Sequence, residues 1–423
     1  MLTERARKAE FVELLLEDGL SAAGLSTVDR AFCRELVFGV VRWQAALDEL
    51  ISRKASRGKP PAEVRDILRL GLYQLFWLER VPDHAVLNES VELTRAAGFG
   101  RQSGFVNAVL RGYARERVET EALLEELRNS TPAIGWSHPD WLVEKWQRQF
   151  GETTTNALLE WNNKPPPAFA RVNTLRVDAA RLLESWRLKE DVSYDLVTRD
   201  WLPENLIFEL KQHAPLPSLE SFRNGWFYVQ DPSTVLAATI VNPQAGESIL
   251  DFCAAPGGKT TLIAQLAADK ARIWAQDLST SRLKLLRENC HRLGVSSIAR
   301  IFMANDREAI VGSERFDKVL VDAPCSNTGV MRRRVDLRWR IKSEVLQQLG
   351  DTQLTLLQQA ADFVKPNGRL IYSTCSLEPE ENCQLIERFL QSRDGFSLDY
   401  ERQLTPQIDR VDGAYVAAMT NAG

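Results

Sequence analysis

Between Val64 and Leu78 the apolar residues Val64, Ile67, Leu68, Leu70, Leu72, Leu75, Phe76 and Leu78 recur at spacings of three and four, which predicts an amphipathic or buried helix. Val81-Pro82-Asp83 breaks it, and the same spacing returns over Asn88–Ala97 and Gly104–Tyr113, with Gly98-Phe99-Gly100 as the turn between them. Residues 1–130 therefore predict an all-α bundle. Asn129-Ser130-Thr131-Pro132 and Ser137-His138-Pro139 have the composition of a linker and of a helix start, placing a boundary near residue 130. Beyond Pro165-Pro166-Pro167, a strand is expected over Phe169–Asn173 and a helix over Val177–Trp186, so residues 131–225 read as a linker and a small α+β middle domain.

From residue 226 to 423 the pattern changes. Short apolar or β-rich runs at Ser248–Cys253, Arg272–Asp277, Arg300–Met303, Phe316–Val321 and Gly368–Ser373 alternate with helical stretches such as Thr260–Ala268 and Ser281–Leu293. This alternation predicts an α/β fold with a parallel, doubly wound, Rossmann-like sheet. In such sheets ligands lie beyond the carboxyl ends of the strands, so the residues just after each strand are the candidates for chemistry.

Composition narrows the picture. The 423 residues are enough for about three domains. With 44% hydrophobic and 26% charged residues, the chain has a folded rather than a disordered composition. A formal charge of −4 does not mark a nucleic-acid binder, so any such contact must come from local patches. The N-terminal MLTERARKAEF lacks an apolar core and no apolar run approaches the ~20 residues of a membrane span, so a cytoplasmic protein with no membrane partner is expected. Six cysteines without a C-x-x-C pair, together with four histidines, give no disulfide framework and no zinc site, which leaves thiols for chemistry.

After the first of these strands comes Asp251-Phe-Cys-Ala254-Ala255-Pro256-Gly257-Gly258-Lys259-Thr260. The two glycines permit a tight turn and a close backbone approach, and the helix that follows presents unpaired N–H groups. Gly258-Lys259-Thr260 also matches the second half of a phosphate-binding P-loop, with Asp322 imitating its metal-binding carboxylate, but Cys253 stands where the first glycine belongs. Asp277, at the end of the next strand, is placed to accept hydrogen bonds from ribose hydroxyls, and Asn305-Asp306 to meet an adenine amino group. A glycine turn with two carboxylates suits a nucleoside cofactor such as S-adenosylmethionine. The bland alternative makes Asp277 and Asp306 ordinary turn residues. Cys325, in Asp322-Ala-Pro-Cys325-Ser326, and Cys375, in Ser373-Thr-Cys375-Ser376, both sit at strand ends beside this crevice. Cys33, Cys290 and Cys383 fall on predicted helices as small buried hydrophobes, and Cys253 packs under the loop.

These words, with Val229-Gln-Asp-Pro-Ser233, resemble the RNA cytosine-C5 methyltransferases of the NSUN/RsmB family over residues 228–376. Arg65-Asp-Ile-Leu-Arg-Leu-Gly71, Asn88-Glu-Ser-Val-Glu-Leu93 and Phe105-Val-Asn-Ala-Val-Leu-Arg111 resemble the NusB fold, an RNA-binding helical module. The resemblance implies a class I methyltransferase domain behind an N-terminal NusB-like bundle, with S-adenosylmethionine as cofactor at Ala254–Thr260, Asp277, Asp306 and Asp322. It also implies a cytosine of 16S rRNA as substrate, free or partly assembled. No obligate protein partner is inferred. By the same resemblance Cys375 is the nucleophile and Cys325 assists release; the residues alone leave the assignment open, because DNA cytosine-C5 enzymes place their nucleophile in the Pro-Cys motif. Asp322 either stabilises charge at cytosine N3 or contacts the cofactor. Carbon 5 of cytosine becomes nucleophilic only after a thiolate adds at carbon 6, and a helix start at Glu378-Pro379-Glu380 is expected to favour that thiolate.

Arg332, Arg333, Arg334, Arg338, Arg340 and Lys342, with Trp339 among them, form a candidate RNA-binding patch, and Arg53, Lys54, Arg57 and Lys59 form a second. Arg171-Val-Asn-Thr-Leu-Arg176 resembles a family segment without an assignable task. Asn327, Val335 and Asp412-Gly-Ala-Tyr415 depart from the family pattern. Two further readings compete: a P-loop nucleotide hydrolase, and a non-catalytic RNA-binding or assembly factor on a methyltransferase scaffold.

Overall fold

The computed structural model describes residues 2–5, 10–55, 58–304 and 314–423. The chain forms two compact units, Met1–Pro165 with Met331–Ile341, and Pro166–Val330 with Lys342–Gly423.

The first unit is helical. Ala62–Trp77 begins just after Pro61 and buries Val64, Leu68 and Leu72 against Leu47 and Leu50 of the helix Gln44–Lys54 and Val106 and Leu110 of Ser103–Arg115, which is the face the apolar spacing foretold. Helices continue beyond Arg117–Ser130 with Asp140–Phe150 and Glu152–Asn163.

Met331–Ile341 belongs to this unit, and its basic residues correct the first proposed RNA patch. Arg338 is fully buried. Its guanidinium donates to the carbonyls of Arg42 (3.2 Å), Ser137 (3.3 Å) and Asn162 (2.9 Å) and to Asn163 Oδ1 (2.7 Å). Two of those carbonyls end helices, where a cation is favoured. Arg332 is buried with its guanidinium 4.2 Å from the Trp161 ring centroid, and Trp339 donates to the Val41 carbonyl at 2.8 Å. Arg340 pairs at 2.7 Å with the buried Asp336, which also accepts from the Val12 N–H at 2.9 Å and from Arg5. Arg334 and Lys342 remain exposed. A run of arginines can satisfy itself on carbonyls and aromatic faces, which charge counting alone does not detect. In the second patch Arg53 pairs with Glu49 and Lys54 with Glu116, Lys59 is exposed, and Arg57 lies outside the described residues.

The second unit contains two sheets. Strands β1 (Ala168–Val172), β2 (Ser193–Leu196), β3 (Ile207–Gln212) and β4 (Phe227–Val229) form an antiparallel sheet in the order β2-β3-β1-β4. It packs through Val172, Leu182, Trp186, Phe208 and Phe227. Strands β5 (Ser248–Asp251), β6 (Arg272–Asp277), β7 (Ile298–Met303), β8 (Phe316–Asp322), β9 (Val364–Thr374), β10 (Phe396–Leu404) and β11 (Ala414–Asn421) form the larger sheet, ordered β10-β11-β9-β8-β5-β6-β7. The five strands β5 to β9 are parallel as expected, but β11 runs antiparallel to β9 and to β10, so the sheet is mixed. The short segment between β10 and β11 leaves no room for a crossover helix, and a hairpin results. Strand order reverses between β5 and β8, the place where an open α/β sheet leaves a crevice at its carboxyl edge.

Candidate active site

The glycine turn leaves β5 at Asp251, which is buried, and Thr260 donates to Asp251 Oδ2 at 2.7 Å. Burial, with the Asp322 charge adding to it, pushes the Asp251 carboxyl up to about 7. Its other oxygen, Oδ1, is buried and has no hydrogen-bond partner. Gly257 has φ +104°, a left-handed conformation that also leaves no space for a Cβ beside Leu286, and the helix Gly258–Leu266 starts immediately after it. Ala254 N–H donates to the Gln276 carbonyl, Asn289 donates to the Pro256 carbonyl, and Arg282 donates to the Ala255 carbonyl. The loop is thereby held from the neighbouring strand and helix.

Asp277 sits at the end of β6 and accepts from the N–H groups of Ala255 (3.2 Å) and Ser279 (3.1 Å), with Arg282 3.5 Å away. Each carboxylate oxygen keeps a second lone pair for a hydroxyl. Asp306 and Asn305 lie outside the described residues. Lys259 donates to Asp322 Oδ2 at 2.7 Å and Ser373 to Asp322 Oδ1 at 2.8 Å. The Asp322 side chain is still 33% exposed, so one carboxylate face remains open to a ligand. Although burial opposes it, the Asp322 charge and hydrogen bond raise the Lys259 ammonium above its ordinary range, and the Cys375 sulfur acts in the same direction. Because Lys259 and Thr260 both turn to carboxylates, the turn is a poor phosphate cradle, contrary to the P-loop reading.

The two thiols meet at the ends of β8 and β9, with Cys325 Sγ 3.3 Å from Cys375 Sγ. Cys375 donates its S–H to Asn327 Oδ1 at 3.2 Å, while the Asn327 amide donates to the Cys325 carbonyl at 2.7 Å. With its own proton committed to Asn327, Cys375 offers its sulfur as acceptor to Cys325. The Cys325 thiol is pushed well above its ordinary range, first by that hydrogen bond, then by burial and by the charges of Cys375 and Glu381. Gly329 lies against the Cys375 carbonyl and Gly413, where a Cβ would come within 2.7 Å of each, so the loop after Cys325 crosses directly over the Cys375 backbone.

One expectation fails here. Pro379–Glu381 is a single 3-10 turn and the α-helix begins only at Cys383, so the helix start expected at Glu378-Pro379-Glu380 is not there. Cys33, Cys290 and Cys383 do lie on helices, but only Cys290 is buried, Cys33 and Cys383 being half-buried, and Cys253 packs against the core of the larger sheet, its thiol pushed up by burial.

Sequence reasoning missed two groups. Glu381 is fully buried and accepts from Ser326 N–H (2.8 Å), Gln353 Nε2 (2.8 Å), Ser376 Oγ (2.5 Å) and Ser326 Oγ. Arg171 on β1 donates to the Gly258 carbonyl (2.8 Å), Thr261 Oγ1 (3.1 Å) and Gln230 Oε1 (2.5 Å), while Asn173 donates to the Leu293 carbonyl (2.8 Å). The segment left without a task thus props the floor of the glycine turn. Its only signal in the sequence was the family resemblance.

A crevice at a strand-order reversal, with a glycine turn and an acidic strand end, is suited to a nucleoside cofactor, and the fold is that of the class I methyltransferases. Residues 238–420 match the model of the 16S rRNA methyltransferase RsmB/F family, residues 2–115 that of the NusB family, and residues 138–209 the RsmF/B-like ferredoxin-like domain. The chain is 37% identical to a probable ribosomal RNA small subunit methyltransferase B of Synechocystis sp., over 96% of this chain and 91% of that one. It is 33% identical to the corresponding protein of Bacillus subtilis, over 98% and 95% respectively. A solved methyltransferase homologue from Pyrococcus horikoshii superposes with a TM-score of 0.59 at 27% identity, over 71% of this chain and 99% of that one. The chain belongs to the RsmB/F family of ribosomal RNA small-subunit methyltransferases. Its methyl donor is S-adenosylmethionine, and the residues fit that group: the orphaned Asp251 oxygen suits an ammonium and Asp277 a ribose. Among the described residues, no helix is long and apolar enough to cross a membrane and no cluster of side chains suits a metal ion.

Proposed function

We propose that this protein methylates carbon 5 of a cytosine in 16S rRNA, with Cys375 as nucleophile and Cys325 assisting release. The apposition of the two sulfurs, 3.3 Å apart beside the glycine turn, carries this reading. When bound, the cofactor supplies an electrophilic methyl group. Cys375 gives its proton up to water and adds as thiolate to carbon 6 of the ring, which makes carbon 5 nucleophilic. Once carbon 5 is methylated, the Cys325 sulfur, its own proton given up to water, takes the carbon 5 proton; the bond from Cys375 to carbon 6 breaks with its electron pair leaving on the Cys375 sulfur, and the double bond re-forms. The hydrogen bond to Cys375 and burial push the Cys325 thiol well above its ordinary range, which makes its thiolate a strong base and suits it to release rather than to attack. Ala254–Thr260, Asp277, Asp306 and Asp322 are proposed to hold the cofactor. The open face of Asp322 serves either the cofactor or cytosine N3, where the Lys259 pair helps to balance developing charge. The target base must leave its stack, which is cheapest in RNA that is free or partly assembled. For the organisation of the chain we propose a NusB-like RNA-binding domain over 1–130, the middle region over 131–225 and the catalytic domain over 226–423, in a protein that works in the cytoplasm.

The test incubates labelled S-adenosylmethionine with protein-free 16S rRNA and maps the product. Cys375→Ser is expected to abolish transfer, and Cys325→Ser to accumulate an RNA adduct that survives denaturing gels. Transfer at the wild-type rate by Cys375→Ser would overturn the assignment.

A further inference from the structure

Backbone bonds set the two cysteine loops side by side, from the Ala323 N–H to the Ser373 carbonyl and from the Gly329 N–H to the Cys375 carbonyl, each 2.9 Å, and buried side chains then add to what fixes the distance between the sulfurs. The residue after each cysteine is a buried serine, and both serines end on the same carboxylate. Glu381 Oε1 accepts the Ser326 N–H and Gln353 Nε2, and Oε2 accepts the Ser326 and Ser376 hydroxyls, which are 3.0 Å from each other. Gln353 also donates to the Pro324 carbonyl at 2.9 Å, just before Cys325, and the Tyr372 hydroxyl fastens the Glu381 carbonyl at 2.8 Å. The carboxylate is thus held on several sides and grips both cysteine loops.

We propose that Glu381 is a positioning residue: a yoke that sets the separation of the two thiols by binding the residue that follows each of them. This rests on the two-thiol reading of the site. A buried carboxylate with only neutral donors is expensive to desolvate. It is retained because one such group takes four donors in a plane, two per oxygen. It has a second effect, since the Glu381 charge adds to the upward push on the Cys325 thiol and so makes its thiolate a stronger base for the release step. Near-attack geometry tolerates little error, and a displacement of about 1 Å costs roughly 100-fold in rate.

The test uses the full-length protein alone and diamide, an azodicarboxamide oxidant. Two thiols become one disulfide as their hydrogens pass to the N=N bond, and the Cys325–Cys375 linkage is followed by peptide mass spectrometry. Glu381→Ala is expected to slow this crosslink at least about tenfold and to lower kcat about 100-fold, with KM for RNA within about twofold of wild type. Glu381→Gln should recover the crosslinking rate and all but about tenfold of kcat, because its carbonyl still accepts two N–H groups and its amide can donate to hydroxyls that turn around. A folded Glu381→Ala that crosslinks at the wild-type rate overturns the proposal, as does a Gln variant as slow as the Ala variant. If Glu381→Ala does not fold, the double variant Ser326→Ala, Ser376→Ala is expected to slow the crosslink severalfold, and a wild-type rate in it overturns the proposal equally. Crosslinking needs neither RNA nor methyl donor. The expected pattern in a protein that methylates no cytosine would therefore support the yoke while sinking the substrate reading.

Discussion

The guanidinium of Arg171 lies 2.8 Å from the carbonyl of Gly258, so a side chain on the first strand of the middle sheet supports the glycine turn of the cofactor crevice from below. Burial pulls this guanidinium down to about 9, which still leaves it charged at neutral pH, and its acceptors are a carbonyl, a hydroxyl and an amide oxygen. Arg171→Met removes the donors and leaves those acceptors buried. Hydrogen bonds to a charged group contribute about 1.5–3 kcal/mol each, so a loss of about 2–4 kcal/mol is expected after relaxation. Cofactor affinity should weaken about tenfold. Arg171→Lys keeps the charge but not the fork, and should recover only part of the loss. Urea denaturation and calorimetric titration with S-adenosylmethionine check both.

Asn327, with φ +60°, holds the Cys375 proton on its side-chain oxygen. An acceptor at that position stabilises S–H and offers nothing to a thiolate until the amide turns over. Asn327→Gly removes the acceptor and keeps a residue suited to the backbone angle. One neutral hydrogen bond is worth about 1 kcal/mol, so alkylation of Cys375 by iodoacetamide at fixed pH should become about fivefold faster. Mass spectrometry of the Cys375 peptide reads this directly, and an unchanged rate would mean that the Asn327 oxygen does not restrain the thiol.

The parts of this molecule that were legible in its sequence are those governed by neighbours in the chain. Strand β6 occupies Arg272–Asp277 as its apolar run predicts, and Asp277, Cys325 and Cys375 stand at or just beyond strand ends because a strand, its last residue and the turn are contiguous. Strand β10 was invisible because it is an edge strand with mostly exposed or half-buried positions, including Asp399 and Glu401, where charge protects the edge and erases the alternation. Glu381 and Arg171 act across 55 and 87 positions of chain, on partners no spacing rule connects. The basic segment around Arg338 was misread for the same reason, since its acceptors come from the distant Arg42, Ser137, Asn162 and Asn163.

That segment now separates into two kinds of arginine. Arg338→Ala is expected to destabilise the helical unit by about 3 kcal/mol, because it strands buried carbonyls. Its effect on RNA affinity should follow the fraction folded. Arg334→Ala and Lys342→Ala, at exposed positions, should leave stability within about 0.5 kcal/mol. If they contact phosphate, each lowers the slope of log affinity against log salt by about 1. Filter binding across a salt series, with parallel urea melts, distinguishes the two kinds. A slope change in Arg338→Ala under conditions where it is fully folded would reverse the assignment.

The buried Asp251 carboxyl ties the stability of the fold to pH. Unfolded, an aspartic acid ionises near 3.9. In the fold burial raises it to about 7. Between those values the folded chain keeps a proton that the unfolded chain has released, so the contribution to stability is complete below about pH 4 and is lost as pH rises to about 7. The full swing is roughly 4 kcal/mol as an upper figure. Asp251→Asn should flatten this part of the stability profile and make the cofactor-free protein more stable than wild type above pH 7. Binding should move in the opposite direction. If the orphaned Asp251 oxygen takes the ammonium of S-adenosylmethionine, affinity in the wild type rises with pH from 5.5 to 7.5 as the carboxylate forms, with proton release on binding below pH 7. In Asp251→Asn affinity is weaker and flat over the same range. Calorimetric titration in buffers of different ionisation enthalpy measures both affinity and protons, and profiles of the same slope in the two proteins would place the ammonium elsewhere.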